Sequence, residues 1–212
     1  MPVDNWEGQL ISAEEFDRLE AMYHPLAHAV RQLIDATVRT GADEPTIRAA
    51  AEAIDAVTES LKPLSDDGWQ ALRHAETGRP ILFTNPAAGG RNPVAPPMVI
   101  HHEPDGRCWS EFTLGAAYEG PPGLAHGGIS ALVLDHLLGE AASGGLVKPR
   151  FTGTITLKYL RGTPLGPLRA EAFIEREEER KTYARGFISD AQGPTVEAEG
   201  VFIKPAWAED SE

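Results

Sequence analysis

The chain has 212 residues, enough for one domain with a large extension or for two small domains. A net charge of −13 argues against nucleic acid and anionic membrane surfaces as main partners, and 42% hydrophobic with 24% charged residues is the balance of a soluble globular protein. The one cysteine, Cys108, excludes an internal disulfide and any cysteine-based zinc site, and beside Trp109 in a strand-like stretch it reads as a packed residue rather than a nucleophile. No apolar stretch approaches the ~18 residues of a membrane span. Residues 1–8 lack the basic region and apolar run of a signal peptide, so the expected location is the cytosol. Nothing in the pattern calls for a metal or a cofactor.

Two helices are predicted to open the chain. Ser12 and Glu15 have capping-box spacing, and Phe16, Leu19, Met22, Tyr23, Leu26, Val30, Leu33 and Ile34 recur at helical intervals. Pro25 is expected to kink this helix and Gly41 to stop it. Asp43 and Pro45 start a second helix, whose Ile47, Ala51, Ile54, Val57 and Leu61 form an apolar stripe. Both stripes read as packing surface. Residues 62–97 are rich in Pro and Gly, ending in Asn85-Pro-Ala-Ala-Gly-Gly-Arg-Asn-Pro-Val-Ala-Pro-Pro97, and read as linker and loop.

From residue 98 the pattern turns to strands. Residues 98–102 and 107–114 flank Pro104-Asp-Gly106, a hairpin signal. An apolar helix follows over roughly 127–142, closed by Gly144-Gly145, and then come strand-like runs over 151–160, 168–177, 182–189 and 195–203. The order ββ-α-ββββ predicts an α+β architecture in which a long, curved antiparallel sheet wraps around one helix. The expected division is a helical N-terminal extension over 1–80, a linker loop over 81–97, the strand-rich domain over 98–205 and a solvated acidic tail over 206–212.

The most informative stretch is 119–139, Glu-Gly-Pro-Pro-Gly-Leu-Ala-His-Gly-Gly-Ile-Ser-Ala-Leu-Val-Leu-Asp-His-Leu-Leu-Gly. A Gly/Pro-rich loop delivers His126, Gly127 and Gly128 to the first turn of an apolar helix. The opening of a helix presents unpaired N–H groups and partial positive charge, which suits an oxygen that becomes negative during a reaction. Gly128 N–H is the candidate donor, with Gly127 shaping the approach because no Cβ obstructs it. Asp135 is the first acid of the helix and has Leu132, Val133, Leu134, Leu137 and Leu138 for neighbours. A partly desolvated carboxylate there can act as general base or nucleophile. A histidine invites the general-base role, but the place of His126 just outside the helix favours orienting the loop or a substrate carbonyl.

This run resembles the hotdog-fold thioesterases of the phenylacetate-pathway type, the group that also holds the human thioesterase-superfamily acyl-CoA hydrolases. In that family a Gly/Pro-rich loop leads to His-Gly-Gly and a central helix with an acid at this spacing. Thr152 and the strand Thr154-Ile-Thr-Leu-Lys-Tyr-Leu-Arg161, with Thr163-Pro-Leu-Gly166 after it, are similar to the family's strand after the helix and its bend. Glu179-Arg180-Lys181 is similar to its Gly-Arg-Lys turn, and 197–203 to its last strand. The resemblance covers roughly 95–204.

It implies a hotdog fold and hydrolysis of an acyl-CoA substrate to free acid and coenzyme A, with Asp135 as the catalytic acid and Thr152 holding the attacking water or aiding that acid. Among the basic residues Arg150, Lys158, Arg161, Arg180 and Lys181, the resemblance matches Lys158, Arg180 and Lys181 to positions that contact coenzyme A. It further implies a homodimer or a dimer of dimers whose sites are completed across the interface. Two departures stand out: Arg161-Gly162 where the family has Arg-Pro, and Glu179-Arg-Lys where it has Gly-Arg-Lys. The alternatives are a hotdog protein that binds acyl thioesters without cleaving them, against which the acid at 135 argues, and a hotdog dehydratase or hydratase, whose loop pattern the His-Gly-Gly run does not match.

Overall fold

The computed structural model describes residues 8–62 and 71–208. Residues 1–7, part of the linker and most of the acidic tail lie outside the described residues.

The long helix opens as expected and ends just before Gly41, its expected stop. After the short strand β1 (Gln9–Ile11), α1 spans Ala13–Arg39. Ser12 caps it by accepting from Glu15 N–H at 3.2 Å, while the Glu15 carboxylate turns to Arg18 at 2.7 Å instead of closing the capping box. Pro25 does not break the helix. The second helix, α2 (Glu44–Leu61), is capped by Asp43 and carries proline in its first turn, as predicted. None of its residues is buried, and Ile47, Ile54, Val57 and Leu61 face outward.

Strands also occur where a loop was expected. β2 (Leu72–His74) pairs in parallel with β1 and antiparallel with β3 (Pro80–Ile81). These strands are two or three residues long, too short for a two-residue period to register. The expected strand at 98–102 shrinks to β4 (His101–His102), because Met98 N–H is spent on the Pro96 carbonyl within the proline-rich bend.

The remainder follows the predicted order: β5 (Cys108–Leu114), a 3-10 turn (Ala116–Tyr118), α3 (Gly127–Ala142), β6 (Phe151–Tyr159), β7 (Gly166–Glu177), β8 (Lys181–Asp190) and β9 (Gly193–Ile203). One six-stranded sheet runs β4-β5-β7-β8-β9-β6, and every pairing in it is antiparallel. Breaks in register within β6, β7 and β8 add curvature.

The sheet bends around α3 because the residues beneath the helix are small. Ala170, Ala172, Ala184 and Ala198 are fully or almost fully buried, and a Cβ on Gly200 would lie 2.6 Å from Phe202 Cε2. Into that concavity α3 places Val133, Leu134, Leu137 and Leu138, all at 0% exposure. A helix apolar on every side is stable in water only when surrounded. The opposite face of the sheet is polar, with Arg185 between Glu175 (3.3 Å) and Glu199 (2.7 Å). The extension is anchored on this body through α1. Asp35 accepts from Ala116 N–H at 3.1 Å, and Phe16 stacks on Phe83 with ring centres 5.6 Å apart.

Leu134→Ala should destabilise the protein by about 2–5 kcal/mol, since Leu134 is wholly enclosed. Urea unfolding checks this through a lower midpoint at unchanged slope.

Candidate active site

The loop before α3 is tied down at several points. His126 N–H donates to the Tyr118 carbonyl and Ala125 N–H to Thr163, at 2.9 and 2.8 Å. Gly123 has φ +75°, and a Cβ on Gly120 would sit 2.9 Å from His126 Cα, so both glycines are needed where they stand. Gly162, the departure from the family's proline, has Leu124 in the space a side chain would occupy, at 2.7 Å.

His126 is the N-cap of α3, and its Nδ1 accepts from Gly128 N–H at 2.9 Å. The neutral ring therefore carries its proton on Nε2, which faces solvent as a donor. The Gly128 amide expected to meet a substrate carbonyl is already engaged. Gly127 N–H, by contrast, has no partner among the described residues. Tyr159, to which the sequence pattern assigned no role, donates its hydroxyl to the Gly127 carbonyl at 2.9 Å.

Asp135 lies further along α3 and accepts from the Thr152 hydroxyl at 2.9 Å. No cation pairs with it among the described residues. It opens into a cleft of about 970 Å³ between α3 and the extension, walled by Leu72, Ile81, Phe83, Leu146, Phe151 and Phe202 and carrying Arg73, Arg91 and Arg150. The rise of a helix separates Asp135 from Gly127 by about 12 Å along the axis. One thioester carbonyl cannot contact both groups of a single chain.

Next to Asp135, burial pushes the His136 imidazole below its usual pKa, against the opposing pull of Glu140 and Asp135. Its Nε2 is buried without a hydrogen-bond partner. Glu140, 4% exposed, meets Arg79 at 3.1 Å and His102 at 3.3 Å. Cys108 is packed, as predicted: it is fully buried, donates to the Leu137 carbonyl, and burial holds its thiol up at about 12.

The basic residues matched to coenzyme A contacts lie outside the lining of the Asp135 cleft. Ile155 and Leu157 pack on the core and Tyr159 reaches Gly127, so alternation turns Lys158 to the opposite face of β6. Arg180 donates to the Lys204 carbonyl at 3.2 Å, and Lys181 is an exposed residue at the start of β8. None of the three lines the cleft. Arg161 is held by Asp190 and the Gly193 carbonyl, and this guanidinium keeps the Asp190 carboxyl down at about 2.

No family model matches the chain. Among solved structures, the thioesterase superfamily protein RHA08564 is 32% identical, over 85% of this chain and 90% of its own, with a TM-score of 0.77. The chain belongs to the thioesterase superfamily. Zebrafish thioesterase superfamily member 2 is 12% identical over 58% of this chain and 91% of its own, with a TM-score of 0.50, a likeness of fold alone. A phenylacetic acid degradation-related protein of Ralstonia eutropha is 23% identical over 50% of this chain and 83% of its own, with a TM-score of 0.47. The fold is the hotdog fold of that superfamily, here with helices before it.

A superfamily member with a neutral buried histidine beside its acid should weaken in mild acid. With the folded pKa of His136 lowered, its contribution is present above the unfolded value near 6.5 and lost as pH falls below it. Urea titrations between pH 7.5 and 5 should show a loss of stability that His136→Gln reduces.

Proposed function

We propose that this thioesterase-superfamily protein hydrolyses acyl-CoA thioesters in sites shared by two subunits, with Asp135 as general base or nucleophile. One observation carries this reading. β6 is an edge strand of the sheet, and its two ends hold the two halves of the candidate site. Thr152 holds Asp135 at one end, and Tyr159 holds Gly127 at the other. Seven residues of strand span about 23 Å.

Antiparallel pairing of two β6 strands about a two-fold axis at the strand's midpoint sets Thr152 of one chain opposite Tyr159 of the other. That arrangement brings the acid of one subunit to the helix N-terminus of its partner and removes the 12 Å gap. It also pairs an edge that otherwise exposes its backbone groups.

The chemistry then follows from the groups present. Gly127 N–H, the unpartnered amide, donates to the thioester oxygen as negative charge develops there. Such a donor is worth about 3–4 kcal/mol in the barrier. His126 fixes the loop through its bond to Gly128 and offers Nε2–H to the substrate. As general base, Asp135 takes a proton from water held with the Thr152 hydroxyl. The water oxygen bonds to the carbonyl carbon, the carbon–sulfur bond breaks, and the thiolate leaves to be protonated. As nucleophile, Asp135 bonds to the carbonyl carbon, the thiolate leaves to be protonated, and water opens the resulting mixed anhydride at the aspartyl carbon.

Asp135→Asn should fold normally and lower kcat at least ~100-fold. Near-normal turnover by the pure variant removes Asp135 from the mechanism. Label in Asp135 after single turnover in heavy-oxygen water identifies the nucleophile route, since only an anhydride opened at the aspartyl carbon puts it there, whereas the general base puts it in the released acid.

The shared site is tested by mixing inactive chains. A Cβ on Gly127 would press on the Tyr159 hydroxyl at 3.2 Å, so Gly127→Val disables the carbonyl end and Asp135→Asn the acid end. Random exchange makes about half the dimers mixed, each with one intact site, so activity should return to roughly a quarter of wild type. No recovery after exchange, confirmed by mass, rejects the two-subunit site.

A further inference from the structure

The Asp135 cleft has a charge balance unlike that of the rest of the molecule. In a chain of net charge −13, it is lined by Arg73, Arg91 and Arg150, and Asp135 is its one acidic lining residue among those described. Elsewhere nine arginines are answered by acids, Arg18, Arg39, Arg48, Arg79, Arg107, Arg161, Arg169, Arg176 and Arg185, while Arg31 and Arg180 donate to backbone carbonyls. In the cleft, Arg91 and Arg150 make no ion pair among the described residues. Arg91 lies over the Tyr23 ring at 3.9 Å, and among the described residues none of its guanidinium N–H groups has a hydrogen-bond partner. Arg150 gives one N–H to the Thr182 hydroxyl and another to the Pro149 carbonyl, and meets no carboxylate among the described residues.

A guanidinium carries five donors in a rigid fork that matches a carboxylate or a phosphate. Arg91 is exposed and Arg150 half-buried, so two forks that meet no acid present donors that a charged oxygen group can take in place of water. The Tyr23 ring further orients Arg91 and costs it no hydrogen-bonding capacity. Arg73, which gives an N–H to the Gly78 carbonyl, adds positive potential, and burial draws its guanidinium below the usual range.

We propose that Arg91 and Arg150, with Arg73 beside them, form an anion-recognition site over Asp135 that holds a charged oxygen group of the substrate, a phosphate of its carrier or a carboxylate on its acyl group. This rests on the thioesterase reading for the word substrate and on the cleft alone for the anion. Arg73 and Arg91 lie in segments preceding the sheet domain, so the extension itself supplies part of the specificity.

The test compares wild type with Arg91→Gln and Arg150→Gln on four thioesters: an unbranched six-carbon acyl group and its terminally carboxylated counterpart, each on coenzyme A and on pantetheine. A KM increase at least ten-fold larger on both coenzyme A substrates than on plain acyl-pantetheine identifies the phosphate. The same excess on both carboxylated substrates identifies the acyl carboxylate. Arg91→Lys, which keeps the charge and loses the fork, should recover only part of the affinity. Because Arg150 also braces Thr182, Arg91→Gln alone decides the test if Arg150→Gln lowers the melting temperature. Equal changes on all four thioesters, or changes within two-fold, overturn the proposal. If wild type cleaves none of them, the hydrolase reading fails, and calorimetry at low salt with coenzyme A and with adipate decides the site by itself. Binding of either that weakens at least ten-fold in Arg91→Gln supports it, and binding of neither, or binding indifferent to Arg91, overturns it.

Discussion

The burial of α3 in the concave face of the sheet is the constraint on which the rest of the molecule depends. The concavity exists because the strands offer Ala170, Ala172, Ala184, Ala198 and Gly200 to the helix, and the helix answers with leucines and valine. Once enclosed, α3 has few places where polar chemistry can reach it. One is its N-terminus, where glycines let the loop and Tyr159 come close. Another is the line of Asp135, which a single strand threonine supports. β6 fixes both positions, so the packing that stabilises the fold also sets the distance between the two ends of the candidate site.

The helix and the last four strands were legible because they are long and strongly patterned. The apolar run predicts 127–142 and the structure shows Gly127–Ala142, while each later strand begins and ends within two residues of its predicted bounds. The short strands before residue 98 were not legible, since two or three residues carry no period and their pairing is set by α1 and by loops distant in sequence. At the candidate site, residue types were readable and hydrogen-bond direction was not. Nothing in His-Gly-Gly says that the histidine folds back onto the second amide and leaves the first one open. Tyr159 had a readable signal in retrospect: it is the last residue of the strand, in phase with Ile155 and Leu157, and so faces the helix.

Basic residues show the same division between composition and place. The sequence marks Arg150, Lys158, Arg180 and Lys181 as cations on an acidic chain, but strand phase turns Lys158 away and a backbone carbonyl occupies Arg180. Arg73 and Arg91 lie in a region that reads as linker, and only the packing of α1 and the 71–93 segment against the sheet domain gathers them with Arg150. A charge is informative for function when its neighbours leave it unsatisfied, which is a property of the fold.

The extension therefore has two parts with different roles. α1 and the segment after residue 71 are packed on each other, and that segment gives the Asp135 cleft a second wall. α2 is exposed along its whole length and contributes nothing to that wall. The match to RHA08564 runs over 85% of the chain, well beyond the roughly half that the sheet and its helix occupy, so the additional architecture is shared in large part. A bare hotdog sheet leaves the acid's side of the helix open to whatever lies above it. Here the chain closes that side with its own residues, and the enclosing wall is made of apolar side chains and arginines. Apolar surface lowers the local dielectric and strengthens every charge interaction inside the cleft. On the proposed reading, Asp135 and the arginines act on a substrate more strongly than the same groups would on an open sheet, and the price is that both must be satisfied when the cleft is filled.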